Sequence, residues 1–423
     1  MATRTQTVAE ICAAAKEASR TLARLDSGTR DAALEAIAAA LESRTLEILE
    51  ANGRDTAAGE EAGLSAALLD RLRLTEDRVA GIAADVRAIA ALPDPVGETI
   101  EGHRLPNGLD VRKVRTPLGV IAVVYESRPN VTIDCSALCI KSGNAIVLRG
   151  SSMAAHSNAV LAGLARDAAA GAGLPPAAIS LVAGGGREEL PELVSQDRYL
   201  DLVVPRGGEG LKAVLKEHAT VPVVYAASGN CHVFVDRSAD LDDAVAIAVN
   251  AKVQRPGVCN AAETLLVHSG IAPELLPRAL RELRESGVEL RVDARARSLA
   301  GDLAPSLNDA TEEDWATEYL ALVLAVKVVD SVEEAIDHVT RYGSGHSEAI
   351  VTSDTESARA FTEGVDAACV YVNASTRFTD GGQFGMGAEI GNSTQKLHAR
   401  GPIGIRELCT FKYVVEGSGQ VRP

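Results

Sequence analysis

Apolar positions recur every three to four residues through roughly the first ninety residues of the chain. Segments 7–24, 30–52 and 64–92 follow this spacing and are rich in Ala, Leu, Glu and Arg. We therefore predict helices in all three segments. The pattern stops at Leu92-Pro93-Asp94-Pro95, because proline lacks the backbone donor that a helix requires.

A charged β-hairpin is predicted over residues 98–116. Apolar and charged residues alternate on both sides of Asn107-Gly108, which is the strongest short signal for a β-hairpin. Near the C-terminus, LCTFKYVVEGSG has the pattern of one further strand. Neither segment has enough apolar surface for a core of its own, so we expect both to pair with another subunit.

From Leu118 onward, short apolar strands alternate with helices. The first series contains the predicted strands LGVIAVVYE, AIVLRG, LDLVVPRGG, VPVVYA and CHVFVD, with helices at VTIDCSALCIKSG and SMAAHSNAVLAGLARDAA. The series restarts near Asp240 with predicted helices 240–253, 273–286, 331–342 and 355–364, and strands 262–268, 321–329, 348–353 and 368–374. This alternation predicts an α/β fold with two parallel-sheet domains.

Composition narrows the classes of function. The 423 residues suggest two or three domains, since single cores stop growing at roughly 250–300 residues. The net charge of −16 and the low aromatic content disfavour a nucleic-acid partner. The N-terminus is charged and has no long apolar run, so we expect neither a signal peptide nor membrane binding.

The seven cysteines also restrict the interpretation. Their odd number and their places in apolar runs favour reduced thiols in a cytoplasmic protein. Cys135 and Cys139 are one helical turn apart, which fits two core positions on one helix face. No C-x₂-C pair is present, so we expect no metal site.

Cys259 differs from the other cysteines in its local sequence. Arg255-Pro256-Gly257 interrupts regular structure just before it, so we predict that this thiol lies on a turn. Backbone N–H groups at the start of an element can lower a thiol pKa and so favour the nucleophilic thiolate. These residues alone are equally consistent with a buried, inert cysteine.

Three long stretches carry a family resemblance: NAKVQRPGVCNAAETLLVH, VYVNASTRFTDGGQFGMGAEIG and STQKLHARGPIG. They resemble the gamma-glutamyl phosphate reductase (glutamate-5-semialdehyde dehydrogenase) family, within the aldehyde dehydrogenase superfamily. The similarity covers nearly the whole chain. It implies a dinucleotide-binding domain of residues 1–97 and 117–230, a catalytic domain of residues 231–404, and a β oligomerisation flap of residues 98–116 and 405–423.

The resemblance also implies an activity. It implies NADPH-dependent reduction of L-glutamyl 5-phosphate to L-glutamate 5-semialdehyde and phosphate, in proline biosynthesis. Cys259 is the implied nucleophile that forms a thioester, and Asn130 is the implied amide donor to the developing oxyanion. Taken alone, Asn130 would be a helix-cap or turn residue. A homodimer or larger homo-oligomer is expected, with glutamate 5-kinase as a possible channelling partner.

The sequence has no G-x-G-x-x-G fingerprint for the cofactor. Two segments lie instead where a predicted strand leads into a helix, which is where such sheets bind phosphates: Arg149-Gly150-Ser151-Ser152 and Pro205-Arg206-Gly207-Gly208. By resemblance, the first lies near the adenosine ribose and the second near the pyrophosphate. A guanidinium at Arg149 favours NADPH over NADH, and Glu318 matches the glutamate that holds the nicotinamide ribose.

The acyl phosphate of glutamate also needs residues that recognise it. Candidates are two arginines that can bind anions and a donor-rich loop, namely Arg255, Asn373, Ser375, Thr376 and Arg377. Residues 224–230 contain no carboxylate, whereas hydrolytic aldehyde dehydrogenases carry a water-activating glutamate there. Two alternatives stay open: a hydrolytic NAD(P)-dependent aldehyde dehydrogenase, and a catalytically silent oligomeric binding protein of the same fold.

Overall fold

The computed structural model describes residues 6–182, 186, 188–225 and 228–422. The helices are α1 (Val8–Leu22), α2 (Ser27–Ser43), α3 (Thr45–Glu61), α4 (Ala66–Leu72), α5 (Glu76–Ala90), α6 (Asn130–Lys141), α7 (Ala155–Gly171), α8 (Glu189–Val194), α9 (Glu209–His218), α10 (Leu241–Val253), α11 (Ala272–Glu285), α12 (Ala294–Leu299), α13 (Glu312–Ala316), α14 (Val332–Tyr342) and α15 (Thr355–Gly364).

The strands are β1 (Thr99–Arg104), β2 (Asp110–Pro117), β3 (Val120–Tyr125), β4 (Ala145–Arg149), β5 (Ile179–Leu181), β6 (Leu202–Arg206), β7 (Cys231–Val235), β8 (Ala262–His268), β9 (Glu289–Val292), β10 (Asn308–Asp309), β11 (Val323–Val329), β12 (Ser347–Val351), β13 (Cys369–Val372), β14 (Asn392–Ser393), β15 (Gly401–Pro402) and β16 (Cys409–Glu416). Within the described residues, no helix has both the length and the apolar character needed to cross a membrane.

The N-terminal region is helical as predicted, but two of the predicted helices are each divided. The prediction of one helix over 30–52 is wrong because α2 ends at Ser43 and α3 begins at Thr45, with Arg44 as the cap residue between them. The prediction of one helix over 64–92 is wrong because the chain is extended between α4 and α5. The buried amide of Asn52 donates to Leu72 O (2.8 Å) and accepts from Leu74 N (2.7 Å). This side chain therefore satisfies backbone groups that a continuous helix would have paired.

The first compact unit comprises residues 1–226, 385–391 and 403–423. Its parallel sheet runs in the order β5-β4-β3-β6. All six residues of β3 are buried, as expected for a strand covered on both faces. The prediction of a strand at 221–226 is wrong: among the described residues, only Val223 forms a bridge, with Val203, and Pro222 has no N–H to donate.

The predicted hairpin and the predicted C-terminal strand form one antiparallel sheet in this unit. Strand β2 pairs with β1 on one side and with β16 on the other, and we call these three strands the flap sheet. The side chains of Phe411, Tyr413 and Val415 alternate along β16 and are exposed. The hairpin and strand predictions are confirmed, and the division into three domains stays a prediction.

The second compact unit comprises residues 227–384 and 392–402. Its parallel sheet runs in the order β10-β9-β11-β8-β7-β12-β13. Strand β8 and helix α15 have the predicted bounds. The strands β9 and β10 and the helices α12 and α13 were not predicted. The apolar face of α11 packs into the core through Leu275, Leu276 and Leu283.

Candidate active site

Cys259 lies on a turn between α10 and β8 in the second unit, as predicted. Its side chain is partly exposed, whereas the other six cysteines are buried. The described residues include all seven cysteines, and none of them is in a disulfide. The buried cysteines include Cys135 and Cys139, which lie in α6 as predicted. The accessible thiol is therefore the one that precedes β8.

Burial makes the other thiols poor nucleophiles. It raises the pKa of Cys135 to about 12 and raises the pKa of Cys139 well above its ordinary value. Burial likewise raises the pKa of Cys12 and of Cys409 to about 12. These groups keep their protons at neutral pH, and a protonated thiol reacts slowly.

The backbone of the Cys259 turn is closely packed against residues that lead into β7. A Cβ atom added at Gly229 would lie 1.4 Å from Cys259 O, so no side chain fits there. The Cys231 thiol donates to Cys259 O at 3.2 Å. Both contacts involve the carbonyl oxygen of Cys259, so they fix the peptide bond between Cys259 and Asn260.

Glu318 is held beside the same strand. Its Oε1 accepts from Gly229 N at 2.7 Å, and its other carboxylate oxygen has no hydrogen-bond partner in the part of the chain that the structure describes. A half-buried carboxylate with one oxygen fixed and the other available can accept from a ribose hydroxyl. This geometry agrees with the ribose-binding role that the resemblance implies for Glu318.

A buried ion pair supports the loop that carries Glu318. Lys252 in α10 pairs with Glu263 in β8, and both side chains are fully buried. Glu263 Oε1 accepts from Leu320 N at 3.3 Å, where Leu320 adopts a left-handed backbone with φ of 53°. Burial raises the pKa of Glu263, and the charge of Lys252 opposes that effect. Sequence reasoning missed this pair, although a lysine and a glutamate in otherwise apolar segments are a detectable signal.

The loop after β13 is tied to the Cys259 turn. Thr376 Oγ1 donates to Asn260 O at 2.7 Å, and Asn260 Nδ2 donates to Thr379 O at 2.9 Å and to Arg377 O at 3.3 Å. Arg377 Nε donates to Gln254 Oε1 at 2.8 Å. Arg377 therefore contacts one residue before Cys259 and one residue after it, and the earlier of these, Gln254, precedes Arg255.

Two other predicted substrate residues have structural contacts of their own. The Asn373 amide accepts from Thr352 N at 2.8 Å and donates to Thr352 O at 2.9 Å. Ser375 is buried, and its hydroxyl accepts from Arg377 N at 3.3 Å. These side chains hold the shape of the loop, and their predicted contact with substrate stays a prediction.

In the first unit, both predicted cofactor segments lie at the carboxyl edge of the sheet. Arg149 ends β4 and Arg206 ends β6, and both strands flank β3. A Cβ at Gly150 would lie 2.1 Å from Asn158 Nδ2, and one at Gly207 would lie 2.7 Å from Glu126 Cδ. The backbone at both glycines therefore packs closely against neighbouring side chains, which would have to move to admit a larger residue.

Arg149 has the properties expected of an anion-binding side chain. One Nη donates to Gly186 O at 3.1 Å, and the buried Nε has no partner among the described residues. No carboxylate in the described part of the chain forms an ion pair with it. Ser151 begins the turn after β4, and its hydroxyl accepts from Met153 N at 3.2 Å. These residues of the first unit fit the adenosine end of a nicotinamide dinucleotide.

The turn that contains Pro205 and Gly208 holds a feature that the sequence did not predict. Gly208 N, at the start of α9, donates to Glu126 Oε2 at 3.2 Å. The carboxylate of Glu126 thus lies where the helix dipole favours an anion. A pyrophosphate bound at this turn would have to share these N–H groups with Glu126 or displace it.

Asn130 is the first residue of α6, and its side chain does not cap the helix. Instead Asn130 Nδ2 donates to Asp134 Oδ2 at 2.8 Å. Burial raises the pKa of Asp134 to about 6. An amide nitrogen carries two hydrogens, so this contact orients the group and leaves one hydrogen for another acceptor.

The absence of a carboxylate at 224–230 is a feature of the sequence. Ala226 and Ala227 lie outside the described residues. Tyr225 is partly buried, and burial raises its pKa, so the phenol stays protonated at neutral pH. Nothing in this segment supplies a general base of the kind that a glutamate would provide.

Comparison with known proteins shows the family of this chain. The aldehyde dehydrogenase family profile matches residues 1–298 and 304–414. A gamma-glutamyl phosphate reductase of Thermobifida fusca is 54% identical over 415 residues, covering 98% of this chain and 98% of the relative. One of Moorella thermoacetica is 55% identical over 408 residues, covering 96% of this chain and 97% of the relative.

A solved structure gives the same result. The crystal structure of gamma-glutamyl phosphate reductase from Thermotoga maritima superposes with a TM-score of 0.96 at 46% sequence identity. The match covers 99% of this chain and 100% of that chain. The two-sheet α/β fold predicted from the sequence is therefore confirmed.

Proposed function

Because the chain belongs to the gamma-glutamyl phosphate reductases of the aldehyde dehydrogenase family, we propose that it reduces L-glutamyl 5-phosphate to L-glutamate 5-semialdehyde, the reductive step of proline biosynthesis. The main structural support for this proposal is the position of Cys259. It is the one cysteine that is not buried, and it lies on a rigid turn. An accessible thiol fixed in this way can act as a nucleophile.

The chemistry follows from the substrate. The Cys259 thiolate attacks the acyl carbon, the bond from that carbon to the phosphate oxygen breaks, and phosphate leaves with the bonding electrons. The acyl group is then held on sulfur as a thioester. A bound nicotinamide cofactor supplies the hydride. After the hydride is added to the acyl carbon, the carbon–sulfur bond breaks, the aldehyde leaves, and the bonding electrons return to sulfur as the Cys259 thiolate.

Charge develops on the former carbonyl oxygen in each addition step. We assign Asn130 as a donor to that oxygen, since the contact with Asp134 orients its amide. One such donor typically lowers the barrier by about 3–4 kcal/mol. When the cofactor binds, Glu318 would hold the nicotinamide ribose, and the segments from Arg149 to Ser152 and from Pro205 to Gly208 would hold the adenosine and phosphate groups.

The test is to supply the semialdehyde and NADP⁺ with and without phosphate, and to follow the absorbance of the reduced cofactor. We expect the rate to depend on phosphate, because phosphate must release the acyl group from Cys259. Oxidation at the same rate without phosphate would favour the hydrolytic alternative. A folded protein that binds cofactor but shows no turnover would favour the silent binding protein.

We assign NADPH as the preferred cofactor, with Arg149 as one source of the preference. Its guanidinium lacks a carboxylate partner in the described chain and can bind the 2′-phosphate. Arg149→Ala is expected to raise the KM for NADPH roughly tenfold while changing the KM for NADH about twofold or less. Arg166→Ala, on the exposed face of α7, is the matched control. An equal rise in both KM values would contradict the assignment.

We propose that the flap sheet joins subunits into a homodimer or larger homo-oligomer. The exposed apolar side chains of Phe411, Tyr413 and Val415 favour burial against a partner chain. Deleting residues 409–423 is expected to give monomer or aggregate without activity, and Tyr413→Glu is expected to weaken assembly more than Lys412→Glu. Light scattering that showed a monomeric, fully active parent would contradict this proposal.

The reactive substrate suggests a further partner and a compartment. An acyl phosphate hydrolyses readily, so direct transfer from glutamate 5-kinase would protect it. The partly exposed thiol of Cys259 must stay reduced to act as a nucleophile, which requires a reducing compartment, and we take this compartment to be the cytoplasm. Co-sedimentation of this protein with purified glutamate 5-kinase tests whether the two enzymes bind each other.

A further inference from the structure

Two arginines near Cys259 form no ion pair with any carboxylate of the described chain. Arg255 is exposed in the cysteine turn, and Arg377 is partly buried in the loop after β13. Several other arginines of the same unit are paired, as Arg291 is with Asp314 and Arg295 with Asp330. In a chain with 58 acidic residues against 42 basic ones, two neighbouring unpaired guanidinium groups indicate a place for an external anion.

The position of Arg377 is fixed from two sides. Its backbone carbonyl accepts from Asn260, the residue after Cys259, and its Nε donates to Gln254, the residue before Arg255. The Gln254 contact uses the Nε hydrogen, so the two terminal nitrogens keep their donors for an anion. A guanidinium held in this way loses little conformational entropy when it binds a ligand.

The electrostatics connect both arginines with the thiol. Burial lowers the pKa of Arg377 and the positive charge of Arg255 lowers it further, whereas the negative charges of the Cys259 thiolate and of Asp380 raise it. The two cations thus repel each other in the free protein. A phosphate group carries about 1.5 to 2 negative charges near neutral pH, so it neutralises both cations, whereas a carboxylate neutralises one.

Resting on the proposed function, we propose that Arg255 and Arg377 bind the phosphoryl group of the acyl phosphate and hold it as it leaves. The phosphate oxygen is bonded directly to the carbon that Cys259 attacks. The α-carboxylate of glutamate is four carbon–carbon bonds farther along the substrate. Because Arg255 and Arg377 lie next to the cysteine turn, they are better placed to bind the phosphate end of the substrate than its α-carboxylate. Negative charge grows on the phosphate as its bond to carbon breaks, so the two guanidinium groups also stabilise that transition state.

The first test uses the reverse reaction, with semialdehyde, NADP⁺ and phosphate varied separately. Arg255→Gln and Arg377→Gln are each expected to raise the KM for phosphate roughly tenfold or more, with the KM for semialdehyde changed about twofold or less. Arg359→Gln, in the exposed pair with Glu363 on α15, is the control and is expected to leave both values unchanged. A rise in the KM for semialdehyde with an unchanged KM for phosphate would overturn the proposal.

The second test needs no turnover. Inorganic phosphate is expected to slow alkylation of Cys259 by iodoacetamide in the parent and in Arg359→Gln, and to lose this effect in Arg255→Gln and Arg377→Gln. If phosphate protects the thiol but no semialdehyde is oxidised, the proposed function fails and the anion site stands. If turnover depends on phosphate but phosphate gives no protection in the parent, the anion site is wrong. Arg255 is exposed, so its variant is expected to fold even if Arg377→Gln does not.

Discussion

Cys231 and Cys259 are neighbours in space, yet the fold gives their thiols opposite character. The Cys231 thiol donates to the carbonyl oxygen of Cys259 at 3.2 Å. Cys231 begins the buried strand β7, where burial, and then the charge of Glu348, raise its pKa well above the ordinary value. Cys259 lies on a turn, where the residue is partly exposed. The secondary-structure element that carries a cysteine, more than its neighbourhood, thus decides its reactivity here.

Replacing the accessible thiol tests this comparison most directly. Cys259→Ser is expected to lower kcat by at least roughly a thousandfold, because the thioester cannot form without a thiolate. Circular dichroism and cofactor binding should match the parent, since the side chain is partly exposed. Turnover close to that of the parent would remove Cys259 from the mechanism.

Moving the turn, without touching the thiol, should have the next largest effect. Gly229→Ala places a Cβ 1.4 Å from Cys259 O, so the turn must shift and the sulfur with it. A shift of about 1 Å can cost roughly a hundredfold in kcat. Gly257→Ala lies in the same turn, but its nearest contact is Leu320 O at 3.7 Å, so it should have little effect. Equal activity of both variants would show that the turn tolerates movement.

Replacing the buried thiol should have the smallest effect on activity. Cys231→Ala is expected to keep kcat within about twofold of the parent, while the lost packing lowers the unfolding free energy by about 1 kcal/mol. A loss of activity comparable to that of Cys259→Ser would show that both thiols take part in the chemistry.

The raised pKa of Cys231 adds a dependence on pH. Above the ordinary thiol pKa of 9.0, the unfolded chain releases its proton while the folded protein keeps it. The stability that comes from the neutral buried thiol is therefore complete below pH 9.0 and declines above it. Urea denaturation of parent and Cys231→Ala at about pH 8 and about pH 10 should show a smaller alkaline decline in the variant.

The sequence predicted those parts of the fold that have a clear period. Strand β8 and helix α15 were predicted within their observed bounds because their ends carry polar or turn residues. Strand β9, ELRV, was missed because charged residues interrupt a run of only four residues, and β10 has only two residues. The break at Arg44 was missed because no proline or glycine marks it. The Asn52 contacts that stabilise the other break join residues about twenty positions apart.

Within the site, the residue types were predicted better than their contacts. The turn at Cys259 followed from Pro256 and Gly257, and the family resemblance supplied the roles of Asn130 and Glu318. The contacts between Glu318 and Gly229, between Glu126 and Gly208, and between Lys252 and Glu263 were not predicted. Each depends on how separate segments pack together, and no local period records such packing.

The order in which the chain enters its two units bears on how it folds during synthesis. The second unit is complete once residue 402 has left the ribosome, whereas the first unit also requires residues 403–423. Until then, β2 lacks its partner β16, and the buried Asn144 amide lacks the Leu408 carbonyl that it binds at 2.9 Å. Domains usually fold in the order of their synthesis. In this protein the unit that begins first is finished last, so a nascent chain stalled near its end holds a finished second unit and an unfinished first one.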